Sequence, residues 1–151
     1  MNSTITKKYL LLITAISFML TISAQDENRV LGTWISNYGD SKITIKKDFN
    51  GFYYGEITWL KDPNNKLGLP KVDDNNPNVN LRARPILGLF ILKGFTYDKK
   101  DKEWEGGKIY DPKEGKTYKC YMWFDKDPNK LNVRGYIGFS LIGREVVWTR
   151  E

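Results

Sequence analysis

Beyond residue 24 no stretch of this chain repeats its apolar residues with a helical period. Short runs rich in β-branched and aromatic residues recur instead between clusters of turn formers. The runs are Gly32–Ser36, Lys42–Lys47, Phe52–Leu60, Leu87–Tyr97, Glu103–Tyr110, Thr117–Phe124, Leu131–Ile137 and Glu145–Arg150. Between them lie separators such as Asn37–Asp40, Asp48–Gly51, Asp98–Asp101, Asp111–Gly115 and Asp125–Asn129. Such close spacing forces successive strands to pair as antiparallel hairpins. About eight strands of this kind predict an all-β fold, an antiparallel up-and-down barrel, because closure removes the edges that an open meander would expose.

One connection breaks the rhythm. Lys61–Pro85, after the third strand, spans 25 residues, holds four of the six prolines and carries a dense asparagine–aspartate cluster. Loops of this length in a small domain are functional or disordered. Here Leu67, Leu69, Val72, Val79 and Leu81 need somewhere to pack, so the loop reads as an ordered lid over one barrel mouth. It ends in Arg82-Ala83-Arg84-Pro85, where two guanidiniums two residues apart would point the same way in an extended segment. They can clamp a carboxylate, phosphate or sulfate, or pair with Asp73 and Asp74 and fix the lid.

Residues 1–24 read as a signal peptide. Lys7 and Lys8 precede the apolar run Tyr9–Leu20, and Ser23-Ala24 offers a cleavage point before Gln25. That run falls short of the ~20 residues of a membrane-spanning helix. The expectation is therefore an exported protein, periplasmic or extracellular, with no membrane span after cleavage and a single barrel domain over residues 25–151. Loss of Lys7 and Lys8 lowers the formal charge from +6 to +4, since all 18 acidic residues lie beyond the cut. The basic residues are spread along the chain and mostly sit beside acids, which argues for a solvated surface and against nucleic acid as a partner.

With no histidine and one cysteine in 151 residues, Ser-His-Asp and Cys-His machinery, His-ligated metals, CxxC redox chemistry and an internal disulfide are all excluded. No cofactor and no metal site are expected. Alternation places Cys120 with Tyr118, Met122 and Phe124 on one face, where a buried, inert thiol is expected. Trp34, Trp59, Trp104, Trp123 and Trp148 each fall in a predicted strand, where an indole either fills a small barrel or stacks on a ligand. A carboxylate-based glycan hydrolase or lyase would have to draw its acid pair from Glu56, Glu103, Glu105, Asp111 and Glu145, and no spacing singles out a pair.

Several strings together resemble the bacterial domain-of-unknown-function family 2147 (DUF2147). They include Gly32-Thr33-Trp34, Gly55 to Leu60, Leu81-Arg82-Ala83-Arg84-Pro85, Trp104-Glu105-Gly106-Gly107-Lys108-Ile109-Tyr110-Asp111-Pro112, Leu131 to Gly135, and Gly143-Arg144 with Trp148-Thr149-Arg150. The resemblance implies a small exported protein with a lipocalin-like (calycin) barrel and no defined activity. It also implies a closure in which Gly32 and Trp34 on the first strand are met by Trp148 and Arg150 on the last. Arg82, Arg84, Trp104 and Tyr110 are among the residues the family shares. Cysteines that some relatives carry are replaced here by Phe52-Tyr53-Tyr54 and the Gly138–Gly143 segment. The leading expectation is a non-enzymatic barrel that binds a small amphiphilic or anionic ligand through Trp59, Arg82, Arg84, Trp104 and Tyr110. The alternative is an envelope module with a filled barrel and a protein partner.

Overall fold

The computed structural model describes residues 26–138 and 143–151; the expected signal peptide and cleavage point lie outside the described residues. Its strands are β1 (Gly32–Ile35), β2 (Ser41–Lys47), β3 (Tyr53–Leu60), β4 (Phe90–Asp98), β5 (Glu103–Asp111), β6 (Lys116–Phe124), β7 (Lys130–Tyr136) and β8 (Gly143–Arg150). Each pairs antiparallel with the next, and β8 returns to β1 to close an up-and-down barrel. The one sizeable boundary difference is at β4, which starts at Phe90 where Leu87 is expected. Ile86–Leu89 forms a turn instead: Leu89 N–H donates to the Ile86 carbonyl, and Gly88, at φ 84°, donates to the Ile57 carbonyl.

One end of the barrel is sealed by the segment that leads into it. Asp26–Asn28 make a helical turn, and the Glu27 carbonyl accepts from the Tyr53 hydroxyl at 2.7 Å and from Trp104 Nε1 at 3.2 Å. Trp34 Nε1 donates to the Val30 carbonyl at 2.8 Å. Arg150, at the end of β8, lies 4.2 Å over the Trp34 ring and donates to the carbonyls of Leu31 (3.1 Å) and Arg29 (2.6 Å). The guanidinium thus gains a cation–π contact and satisfies carbonyls that no strand pairs. Gly32 makes the approach feasible: its φ is +117°, and a Cβ there would stand 3.1 Å from Arg150 Nη1.

Above this seal the core is aromatic. Trp104 meets Tyr97 at 4.9 Å, Phe124 at 5.5 Å and Tyr53 at 6.3 Å between ring centroids. Trp34, Phe95, Leu92, Met122, Leu131, Val133 and Trp148 complete it, all buried. Gly107 yields its side-chain space to Phe95, whose ring would lie 2.4 Å from an added Cβ.

Two outcomes follow from this core. Gly107→Ala should lower the unfolding free energy by about 2–3 kcal/mol in a urea titration, because the Phe95 ring cannot yield without disturbing its neighbours. Burial pushes the Cys120 thiol up to about 12, whereas an unfolded thiol ionises near 8.5. The native state therefore resists ionisation that the unfolded chain undergoes, and folding stability falls as pH rises through this window. Alkylation of Cys120 by iodoacetamide at pH 8.5 should accordingly follow global unfolding as urea is added.

Candidate functional site

The opposite end carries the long connection between β3 and β4, which folds back on itself. Asn65 closes a turn by accepting from Leu67 N–H (2.9 Å) and Leu69 N–H (3.1 Å). Bridges Asn64↔Pro70 and Val72↔Pro85 hold its arms together, and a 3₁₀ turn at Val79–Leu81 is capped by the Asn78 side chain. At its centre Asp73 is completely buried. A buried carboxylate survives only if its lone pairs are filled, and four donors do this. Tyr110 on β5 donates to Oδ1 at 2.6 Å; Asn76 Nδ2 (2.7 Å), Arg84 Nε (2.9 Å) and Arg84 Nη2 (2.8 Å) approach Oδ2.

This network is a latch. Tyr110 belongs to the barrel while Asp73, Asn76 and Arg84 belong to the lid, so the carboxylate binds the two together. Asn76 Nδ2 also reaches the Tyr110 oxygen at 3.0 Å, and the Arg84 guanidinium sits 5.6 Å from the Tyr110 ring centre. Burial and then the Asp73 hydrogen bond push the Tyr110 phenol above its ordinary pKa. A second fastening lies at the β5–β6 turn. Asn75 Nδ2 donates to the Lys113 carbonyl at 3.0 Å, and the Asn75 carbonyl would fall 1.9 Å from a Cβ on Gly115, so only glycine fits there.

Beside the lid the inner wall opens. On β5–β8 the inward positions are buried in mid-barrel and solvent-reachable toward the lid, with Phe124 of β6 half-buried again at the sealed end. Cys120, Met122, Leu131, Val133 and Trp148 are buried, then Ile109, Tyr118, Gly135 and Val146 are half-buried, and Arg144 is exposed at the rim. The register aligns them, since Gly135 is the partner of both Cys120 and Arg144, and Val133 of Val146. Tyr118 donates to Glu114 at 2.5 Å, and that hydrogen bond holds the Glu114 carboxyl low and lifts the phenol to about 12. Arg144 donates to the Tyr38 hydroxyl, and its guanidinium and the Lys113 ammonium stand 5.7 Å and 5.3 Å from the Tyr38 ring centre.

The residues singled out in the sequence are thus divided. Arg82, Arg84 and Tyr110 come together at the lid, where Arg84 is taken up by Asp73 and Arg82 Nε donates to the Asn76 carbonyl at 2.8 Å. Trp104 fills the core with 1% of its surface exposed, while Trp59 is 40% exposed and lies under the Lys42 ammonium, 5.2 Å from its ring centre. Of the acids considered for catalysis, Glu56 pairs with Lys46 and Glu145 with Arg134. Burial first, then Asp101, Glu105 and Asp98, raise the pKa of Glu103. Among the described residues no three His, Cys, Asp or Glu side chains are grouped to hold a metal ion, and no helix is long and apolar enough to cross a membrane. The alternation that joins Tyr118 to Cys120 already points Tyr118 inward. Arg144 escapes sequence reading because β8 begins two residues before the expected Glu145.

The latch has a direct test. Tyr110→Phe leaves one lone pair of a buried carboxylate unfilled, so it should cost about 1–3 kcal/mol of stability. It should also quicken tryptic cleavage at Lys66 and Lys71, because the lid loses one of its two ties to the barrel.

Comparison with known proteins bears on the fold. No curated protein matches the chain. Among solved structures the chain is similar to HP1028 from the human pathogen Helicobacter pylori, described as belonging to the lipocalin family. The two share 23% identity over 81% of this chain and 82% of that one, with a TM-score of 0.67. At that identity the likeness speaks for a lipocalin-like barrel. Residues 32–150, from the glycine at the start of β1 to the closing arginine of β8, match the family described as an uncharacterized protein conserved in bacteria (DUF2147), and the chain belongs to that family.

Proposed function

We propose that this protein is an exported, non-enzymatic carrier that takes one small amphiphilic anion into the mouth of its barrel. The carrying observation is the inner wall of β5–β8 beside the lid, where Ile109, Tyr118, Gly135 and Val146 are half-buried and Arg144 stands exposed at the rim, while the other end is closed by Trp34, Arg150 and the helical turn. An apolar tail would lie against Ile109, Tyr118 and Val146, and an acidic head would meet Arg144. Because Trp104 and its neighbours fill the depths, such a ligand would enter only part way. The latch would keep the lid from collapsing into the mouth, with Arg82 exposed on the same loop as a second positive charge. The lipocalin-like fold supports this reading, since barrels of this size can hold one small ligand. A second reading, an envelope module that binds a protein, draws support from the filled depths of the barrel.

Titration of the mature protein with laurate, followed by tryptophan fluorescence and competition with anilinonaphthalene sulfonate, tests the carrier. Laurate should bind saturably with one site. Arg144→Gln should weaken laurate by roughly tenfold, the worth of a charge-assisted hydrogen bond, and leave lauryl alcohol unaffected. Val146→Trp should block both. Absence of saturable binding, or binding indifferent to both substitutions, would overturn the proposal and shift weight to the protein-binding module.

A further inference from the structure

The outer wall carries a feature the mouth does not explain. Lys93 on β4 is the cross-strand partner of Lys108 on β5, and Lys108 is the partner of Lys119 on β6. All three are exposed, and among the described residues none makes a side-chain hydrogen bond, ion pair or ring contact. Like charges placed directly opposite one another destabilise a sheet. Elsewhere on this wall strand cations are neutralised: Lys46 by Glu56 at 2.6 Å and Arg134 by its own cross-strand partner Glu145 at 3.4 Å. Three unneutralised lysines in register therefore carry a standing cost that a bound polyanion would remove.

Aromatic groups flank the row on both sides. Lys93 lines an open groove of about 610 Å³ together with Phe52, Tyr54, Phe90 and Asp48, whose carboxylate is taken up by the Asn50 and Phe52 N–H groups. The rings of Tyr54 and Phe90 are 5.6 Å apart. Past Lys119 the next partner is Tyr136, which meets Tyr121 at 6.0 Å, and Tyr121 stacks on Trp123 at 5.2 Å. The row runs across the strands, whose backbones lie about 4.8 Å apart, so the three lysines follow one another around the wall. In an eight-strand barrel each strand turns the wall by roughly 45°, so Lys93 and Lys119 diverge by about a right angle. A flat bilayer cannot meet all three, whereas a chain can bend around them.

We propose that the outer wall of β4–β6 binds an acidic polysaccharide. The chain lies across the strands with its acids on Lys93, Lys108 and Lys119 and its sugar faces on the aromatic rings at either end. This site is separate from the barrel mouth and stands whether or not a ligand enters there.

Polygalacturonate binding, measured calorimetrically on the full mature chain at low and moderate salt, provides the test. Lys93→Gln/Lys108→Gln/Lys119→Gln should weaken binding by on the order of tenfold and flatten its salt dependence. A control that removes equal charge elsewhere, Lys66→Gln/Lys71→Gln/Lys99→Gln, should change it less than about twofold. Lys108→Gln alone should weaken binding and raise Tm by a few degrees, because it removes both like-charge neighbours at once. Equal losses in the control, unchanged binding in the ladder variants, or a Tm that does not rise for Lys108→Gln would each overturn the proposal. So would anionic phosphatidylglycerol vesicles binding through the ladder while polygalacturonate does not.

Discussion

Barrel closure depends on a thin seam. β8 meets β1 through only Trp34↔Arg150 and Ile35↔Thr149, two pairs where the other neighbouring strands share longer ladders. A seam that short would leave two sheet edges ready to open. It holds because Arg150 does more than pair: it covers the Trp34 ring and ties the carbonyls of Leu31 and Arg29. The chain then continues one residue further, where Glu151 N–H donates to the Thr33 carbonyl and its side chain pairs with Lys42. Arg150 thereby joins Tyr53, Trp104 and Trp34, which bond the Glu27 and Val30 carbonyls, in holding the segment before β1 under the barrel.

Sealing one end leaves the other as the place where the proposed ligand would enter. The molecule spends its largest rings near the seal and leaves smaller or polar side chains, Ile109, Val146 and Arg144, toward the mouth. The lid does not depend on apolar burial, since Leu67, Leu69 and Val79 remain exposed. It is held by polar chemistry at Asp73, where removing a partner leaves a lone pair of a buried carboxylate unfilled. That is a demanding way to fix a loop, and its tie to β5 runs through one hydroxyl, with Asn75 at the β5–β6 turn as the second fastening.

The two proposed sites draw on opposite sides of the same wall. Strand alternation sends Cys120, Met122 and Phe124 inward and Lys119, Tyr121 and Trp123 outward, so β6 serves the core and the outer aromatic row at once. A substitution meant for one face can therefore be made without touching the other, which lets the mouth and the lysine row be examined independently.

The amino-acid sequence by itself determined the strands, their antiparallel order and the turns, because alternation and turn chemistry act within a few residues. The family resemblance carried by the Gly32–Trp34 and Trp148–Arg150 strings implied the residues that meet at the seam, and the sequence named Asp73 as a partner within reach of Arg84. Tertiary structure alone decided that Trp104 lies in the core, that Tyr110 completes the Asp73 network, and that Arg144 stands at the rim. It also decided that Lys93, Lys108 and Lys119, scattered in the chain and each unremarkable there, form one row. The physical reason is register. Bulges between Lys42 and Ile43, around Gly55 and between Trp104 and Gly107 shift which residues face each other across strands, and such shifts arise from packing against distant neighbours such as Phe95 and Leu92, which no local pattern records.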